Sequence, residues 1–197
     1  MTCATGGYPS ARHNEIRDLL ASAVAEVCPD VETEPRLACL NGEVVNGLTE
    51  DGARVDIRAR GFWTRQQNAF FDVRVTHPGS ALLSRSEVVS QLSKHEREKK
   101  RNYGERIINV DRGSFTLLVF ATNGQSATEA SRFLKALALA IADKNRDLSY
   151  AQVMQYLRCR VSFCLLRWQI TCLRGSRRRQ RGRHQFVAEC QQLANLL

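Results

Sequence analysis

Residues 69–77, AFFDVRVTH, constrain the fold more than any other stretch of this chain. Phe and Val dominate the run, and aromatic and β-branched side chains favour a pleated, half-buried strand. One carboxylate, Asp72, interrupts it. Strand residues alternate between faces, so Asp72 and Arg74 share one side, while Phe71, Val73 and Val75 share the other. The strand needs a cover for its apolar face. It also needs a reason for the charge at Asp72, because burying an unpartnered charge is costly.

The flanking segments supply partners. ARVDIRAR (53–60) alternates apolar and polar residues, and GFWTRQQN is short enough to join it to 69–77 as a hairpin with QQN at or near its tip. VETEPRLACL (31–40) reads as extended, with Pro35 favouring an edge position, and 41–52 as a loop rich in NG and DG signals. GSFTLLVFAT (113–122) is the most apolar strand candidate and is expected to be central. Helical spacing of Ile16, Leu19, Leu20, Ala23, Val24 and Val27 predicts a helix over 12–27, stopped by Pro29. Further helices are predicted over 86–110, 126–145 and 150–175, the last ended by Gly175. Helix, three strands, helix, strand, helix, helix is the order of an α/β or α+β layer domain with a mixed sheet. Helix 12–27 and helix 86–110 are expected on the side of the sheet that carries the carboxylates.

A chain of 197 residues, 43% hydrophobic and 25% charged, suits one domain with a real core. No clean apolar run long enough for a membrane span occurs, and no signal peptide opens the chain, so no membrane association is expected. Cys3, Cys28, Cys39, Cys159, Cys164, Cys172 and Cys190 are scattered and odd in number, which reads as reduced and intracellular. The +9 net charge is concentrated: residues 174–183, RGSRRRQRGR, hold six Arg and no acid, and without them about +3 remains. Arg174, Arg177, Arg178, Arg179, Arg181 and Arg183 therefore suit a phosphate backbone. A solubilising or nuclear-targeting tract is the plainer alternative.

Asp56 and Asp72 lie on the two arms of the predicted hairpin. Two carboxylates on neighbouring strands can share a divalent metal, and hard oxygen ligands suit Mg²⁺ or Mn²⁺. A bound ion offsets their repulsion and activates water against a phosphodiester. Arg74, on the face of Asp72, is placed to reach the same phosphate. An Asp–Arg pair closing a sheet face is the structural alternative. Glu15, on the first helix, can offer a third carboxylate, or is an ordinary surface or capping Glu. Glu96, Lys99, Lys100 and Tyr103 share one face of helix 86–110 and suit a phosphate or a water, or plain surface ion pairing. His13, His77 and His95 show no zinc-site spacing, and phosphate-loop and dinucleotide glycine motifs are missing.

Taken together, GGYPSARHNEIRDLLA, VETEPRL, DGARVDIRARGFW, AFFDVRVTHP, HEREKKRNY followed by ERI, GSFTLLVFATNG and YLRCRVSFCLLRWQITCLRGSR resemble the C-terminal region of non-LTR retrotransposon reverse-transcriptase proteins that carry a restriction-like endonuclease. The resemblance covers residues 6 to about 178. It implies a restriction-endonuclease-like α/β (α+β) fold similar to the PD-(D/E)xK superfamily, with a central mixed four-stranded sheet flanked by helices. It implies a metal-dependent, DNA-nicking endonuclease using Mg²⁺ or Mn²⁺ in the nucleus, with DNA as partner and RNA as the other candidate.

By position, Asp56 and Asp72 match the two strand carboxylates, and Glu15 matches the first-helix carboxylate of many members. Glu96, Lys99, Lys100 and Tyr103 match the helix after the sheet core. Cys3 resembles the last ligand of the CCHC zinc motif that precedes such domains. This divides the chain into a zinc-motif remnant (1–11), a nuclease domain (12–173) and a basic tail (174–197), and implies upstream zinc-motif and reverse-transcriptase regions in a full element. Val55 stands where the family has Pro. Arg74 stands where it has Lys, and a guanidinium does not deprotonate to act as a base; Lys99 or Lys100 is the candidate substitute. The competing expectations are a binding module that kept the fold without catalysis, and a structural or protein-interaction remnant.

Overall fold

A computed structural model of the chain describes residues 7–35, 54–77, 107–108 and 112–177. Helix α1 (Tyr8–Ala25) leads into strand β1 (Val31–Thr33), followed by β2 (Ile57–Arg60), β3 (Asn68–Thr76), β4 (Ser114–Ala121), α2 (Thr128–Lys144) and α3 (Tyr150–Arg177). The sheet order is β1-β2-β3-β4, antiparallel across the first two pairs and parallel between β3 and β4. Among the described residues, a central four-stranded mixed sheet flanked by three helices makes an α/β arrangement, as the order of segments predicts.

The hairpin forms where the alternation places it. Ile57 pairs with Phe71 and Arg60 with Asn68. The connection turns through Gly61 and Gln66, both at positive φ, and Gly61 N–H donates to the Gln67 carbonyl at 2.8 Å. QQN therefore sits at the turn. In contrast, β4 is an edge strand rather than a central one. Its outer side is covered by the start of α2: Ala127 N–H donates to the Val119 carbonyl, and Leu117 N–H to the Glu129 carboxylate.

All three helices contribute to one core. Ile16, Leu20 and Val24 of α1, Phe133 and Leu137 of α2 and Leu157 and Leu165 of α3 pack with Ile57, Phe71, Val73, Leu118 and Phe120. Phe62, Phe71 and Phe133 meet ring to ring at 5.0–5.2 Å between centroids. Each such buried side chain stabilises the fold by about 1.5–3 kcal/mol. The alternate positions Phe70, Phe115, Leu117 and Val119 belong to separate clusters on the opposite face, which Val55, Ile107 and Ala127 join.

This arrangement corrects one expectation for Asp72, though not for Asp56, which α1 meets through His13. The apolar stripe of α1 packs with Phe71 and Val73, so α1 covers the sheet face opposite the one that Asp72 and Arg74 share. Helix burial follows the apolar positions of β3, and Asp72 is not among them.

Element ends also differ from the pattern. α1 starts at Tyr8, with Pro9 in its first turn, where a missing N–H costs nothing. α3 continues past Gly175 to Arg177. β2 begins at Ile57 rather than 53, for a reason found at Asp56. The predicted helix 86–110 falls mostly outside the described residues; 107 and 108 are helical. The extended reading of 36–40 and the loop 41–52 lie outside them too.

Candidate functional site

Asp56 directly precedes β2 and Asp72 directly follows Phe71, the β3 partner of Ile57. The two acidic residues therefore lie in sequence next to the same end of the hairpin ladder. Asp56 N–H donates to the Phe71 carbonyl at 3.1 Å, so Asp56 and Ile57 both oppose Phe71, as in a β-bulge. The irregularity turns the Asp56 side chain toward β3, where Oδ2 accepts the Val73 N–H at 2.5 Å. The carboxylate takes over a bond that a strand carbonyl would make, and regular β2 stops there.

The other oxygen, Oδ1, lies 2.9 Å from His13 Nε2. His13 stands on α1 one turn before Ile16 and Arg17, on the edge of the stripe that faces the sheet. Its pKa is raised, chiefly by this hydrogen bond. Burial opposes the rise, the charges of Asp56 and Asp72 support it, and Arg17 opposes it. The imidazole therefore senses both carboxylates. Asp72 is 7% exposed and Arg74 half-buried on the same sheet face.

The structure joins Asp56 to His13 by a hydrogen bond, leaves Asp72 on the sheet face it shares with Arg74, and engages Glu15 elsewhere. Two helix residues after His13, Glu15 points about 200° away around the axis. Its carboxylate pairs with Arg167 and accepts the Trp168 indole N–H, both on α3. Glu15 ties two helices together. His13 lacks zinc-site spacing, and its signal in the sequence is its place beside the apolar stripe, three residues before Ile16. Its neighbour Arg12 is buried, with Nε lacking a hydrogen-bond partner, and burial lowers its pKa.

Among the described residues, no group of three or more His, Cys, Asp or Glu could hold a metal ion. Two carboxylates suffice for Mg²⁺, which is commonly held by one or two and keeps several waters. Each Asp56 oxygen accepts one bond within the protein, and an ionised carboxylate offers about four lone-pair positions in all. Asp56 therefore keeps lone-pair positions for such an ion, whereas Glu15 is engaged by Arg167 and Trp168.

An open hollow of roughly 560 Å³ lies along the hairpin, lined in part by Arg54, Arg58, Asn68 and Phe70. Arg58 is held by Asp30 and Glu32, and Arg54 lies 3.6 Å from Glu34. Its cations are thus matched by carboxylates, and it gives a phosphate little net attraction. Arg174 is exposed near the end of α3. The Arg177 side chain and Glu96, Lys99, Lys100, Tyr103, Arg178, Arg179, Arg181 and Arg183 lie outside the described residues. No described helix is long and apolar enough to cross a membrane. Neither a protein-family model nor a curated protein matches the chain.

Proposed function

We propose that this chain is a divalent-cation-dependent DNA endonuclease with a restriction-endonuclease-like fold and its centre at Asp56 and Asp72. The observation that carries the reading is Asp56 at the start of β2, hydrogen-bonded to His13 on α1 and to the Val73 N–H next to Asp72 on β3. Asp56 and Asp72 would hold Mg²⁺ or Mn²⁺, which would supply charge neutralisation and an activated water. His13, kept protonated to higher pH by Asp56, offsets negative charge where a phosphodiester approaches. Arg74, on the face of Asp72, binds a phosphate oxygen but cannot take a proton from water. The arginines of 174–183 supply backbone affinity, which salt weakens.

The test is nicking of supercoiled DNA with Mg²⁺ or Mn²⁺. Asp72→Asn is expected to abolish cleavage and leave DNA affinity equal or slightly higher, since a negative charge is removed. Arg74→Lys is expected to preserve or raise cleavage. Metal binding by calorimetry that is the same for wild type and the Asp56→Asn/Asp72→Asn double variant would exclude the site.

A second reading is favoured by the engagement of both Asp56 oxygens within the protein. In it the chain binds nucleic acid through its arginines, and Asp56 serves only to close the hairpin. DNA binding that persists without any metal-dependent cleavage in wild type supports that reading.

A further inference from the structure

Helix α3 carries two apolar stripes, and only one of them faces the core. Val153, Leu157, Val161, Cys164, Leu165 and Cys172 are buried. On the outer side, Tyr156, Cys159, Phe163, Leu166 and Ile170 follow one another at steps of three, four, three and four residues. That is the a/d spacing of a coiled-coil seam. Tyr156, Phe163, Leu166 and Ile170 are 57%, 68%, 49% and 41% exposed, and Cys159 is exposed as well. Scattered exposed apolar residues are ordinary on a protein surface, but a contiguous row of them marks an interaction site.

The charges beside this row all have one sign. α3 has 28 residues and contains no Asp or Glu, whereas Arg158, Arg160, Arg167, Arg174 and Arg177 all lie on it. Arg160 and Arg174 are exposed and occupy the position that follows d in the repeat, where coiled coils place partner-selecting charges. Arg160 is already held beside the seam: its guanidinium lies 5.7 Å from the Tyr156 ring centre and donates to the Tyr156 hydroxyl at 3.1 Å. Arg167, in the equivalent place, is engaged by Glu15.

We propose that the outer face of α3 is a docking surface for an acidic amphipathic helix of a partner protein, which packs its apolar residues on Phe163, Leu166 and Ile170 and sets carboxylates against Arg160 and Arg174. Charge selects this occupant. A second copy of α3 would bring the same apolar row but no carboxylate to meet the arginines. Arg174 is shared with the basic tract of the nuclease reading, but Phe163, Leu166, Ile170 and Arg160 have no part in it, and the face lies on the side of α3 away from the core that α1 and the sheet share.

The probe is a synthetic peptide of about four heptads, long enough to be helical alone, with Leu at a and d and Glu at e and g; its control carries Lys at e and g. Binding to the full chain is read by fluorescence anisotropy. The acidic peptide is expected to bind, more weakly at high salt, and the Lys control is not. Phe163→Glu and Ile170→Glu are expected to weaken binding at least about tenfold, as loss of a central anchor does, with thermal melting unchanged because both side chains are exposed. Arg160→Gln leaves the apolar row intact and is expected to weaken the acidic peptide selectively.

Four outcomes overturn the proposal. One is failure of the acidic peptide to bind, or equal binding of the Lys control. Another is a wild-type dimer in sedimentation that Phe163→Glu dissociates, which assigns the face to a second copy. The third is peptide binding only after removal of residues 178–197, which assigns it to the chain's own end. The last is Phe163-dependent binding to phosphatidylserine vesicles without peptide binding, which assigns it to a lipid surface.

Discussion

Asp56 reaches across the end of the hairpin to Val73: its Oδ2 accepts the Val73 N–H at 2.5 Å, while Oδ1 meets His13 Nε2 at 2.9 Å. One side chain thus ends β2, satisfies a β3 backbone donor and joins the sheet to α1. A residue with this role has a structural effect separate from any catalytic one. Asp56→Ala leaves the buried Val73 N–H without an acceptor, at a cost of about 1–3 kcal/mol. Asp56→Asn keeps an amide oxygen for Val73 and loses the charge facing His13. Urea unfolding is expected to show the larger loss for Ala, whereas metal-dependent nicking is lost in both. Equal stability losses would show that the Val73 bond contributes little.

His13 makes that contact pH-dependent. Its folded pKa is raised, first by the hydrogen bond to Asp56. A raised pKa means that the folded state binds the proton more tightly than the unfolded state. The stabilisation is therefore full below the unfolded value of about 6.5 and is lost as pH rises through the higher folded value. His13→Gln removes it. The stability difference between wild type and His13→Gln is expected to shrink as pH rises from about 6 through the folded pKa. NMR titration of the His13 ring is expected to give a midpoint above the ordinary histidine value. A midpoint at or below that value would show that burial outweighs Asp56.

Much of the sheet was legible because β-strand chemistry is local. The Phe and Val positions of β3 marked it as a strand and Phe71 and Val73 as the side packed with the helices, and the parity that sets Asp72 with Arg74 was available from spacing alone, although that second face is buried too. The end of β2 was not legible, since it depends on a carboxylate bonding to a strand distant in sequence. The edge position of β4 was missed for a related reason. Its apolar residues suggested a central strand, but the cover comes from the N-terminal end of α2 through Ala127 and Glu129. Of the candidate site, the pairing of the two arms that carry Asp56 and Asp72 could be read from the hairpin, but the irregularity that sets Asp56 against Phe71 could not. The roles of His13 and Glu15 could not, because they depend on how α1 is rotated against the sheet and α3.

Gly113 records how closely β3 and the start of β4 approach. A Cβ there would lie 2.6 Å from the Phe70 ring and 2.8 Å from the Asn68 carbonyl oxygen. Neither neighbour is free to withdraw: Phe70 is buried with Val55 and Ile107, and Asn68 begins β3. Gly113→Ala is expected to destabilise the chain by about 1–3 kcal/mol through overpacking. Chemical denaturation measures this, and an unchanged midpoint would mean that the strands separate at little cost. Because Phe70 lies two residues from Asp72 on the same face, the variant is also expected to reduce nicking while leaving arginine-dependent DNA affinity unchanged.

Glu15 gives the clearest separation between a structural carboxylate and the proposed metal ligands. Its carboxylate pairs with Arg167 and accepts the Trp168 N–H, so it holds α1 against α3. Glu15→Gln keeps an oxygen for Trp168 and loses the ionic part of the Arg167 contact. That pair is partly exposed, with side chains 30% and 38% accessible, so the expected loss is about 1 kcal/mol or less. High salt should shrink the difference between wild type and variant, because salt screens exposed charges. Metal-dependent nicking and Mg²⁺ binding are expected to be retained, in contrast to Asp72→Asn. A Glu15→Gln protein that melts like wild type but no longer binds the ion would return Glu15 to the metal shell, and would require α1 to present a different face to the sheet when the ion is bound.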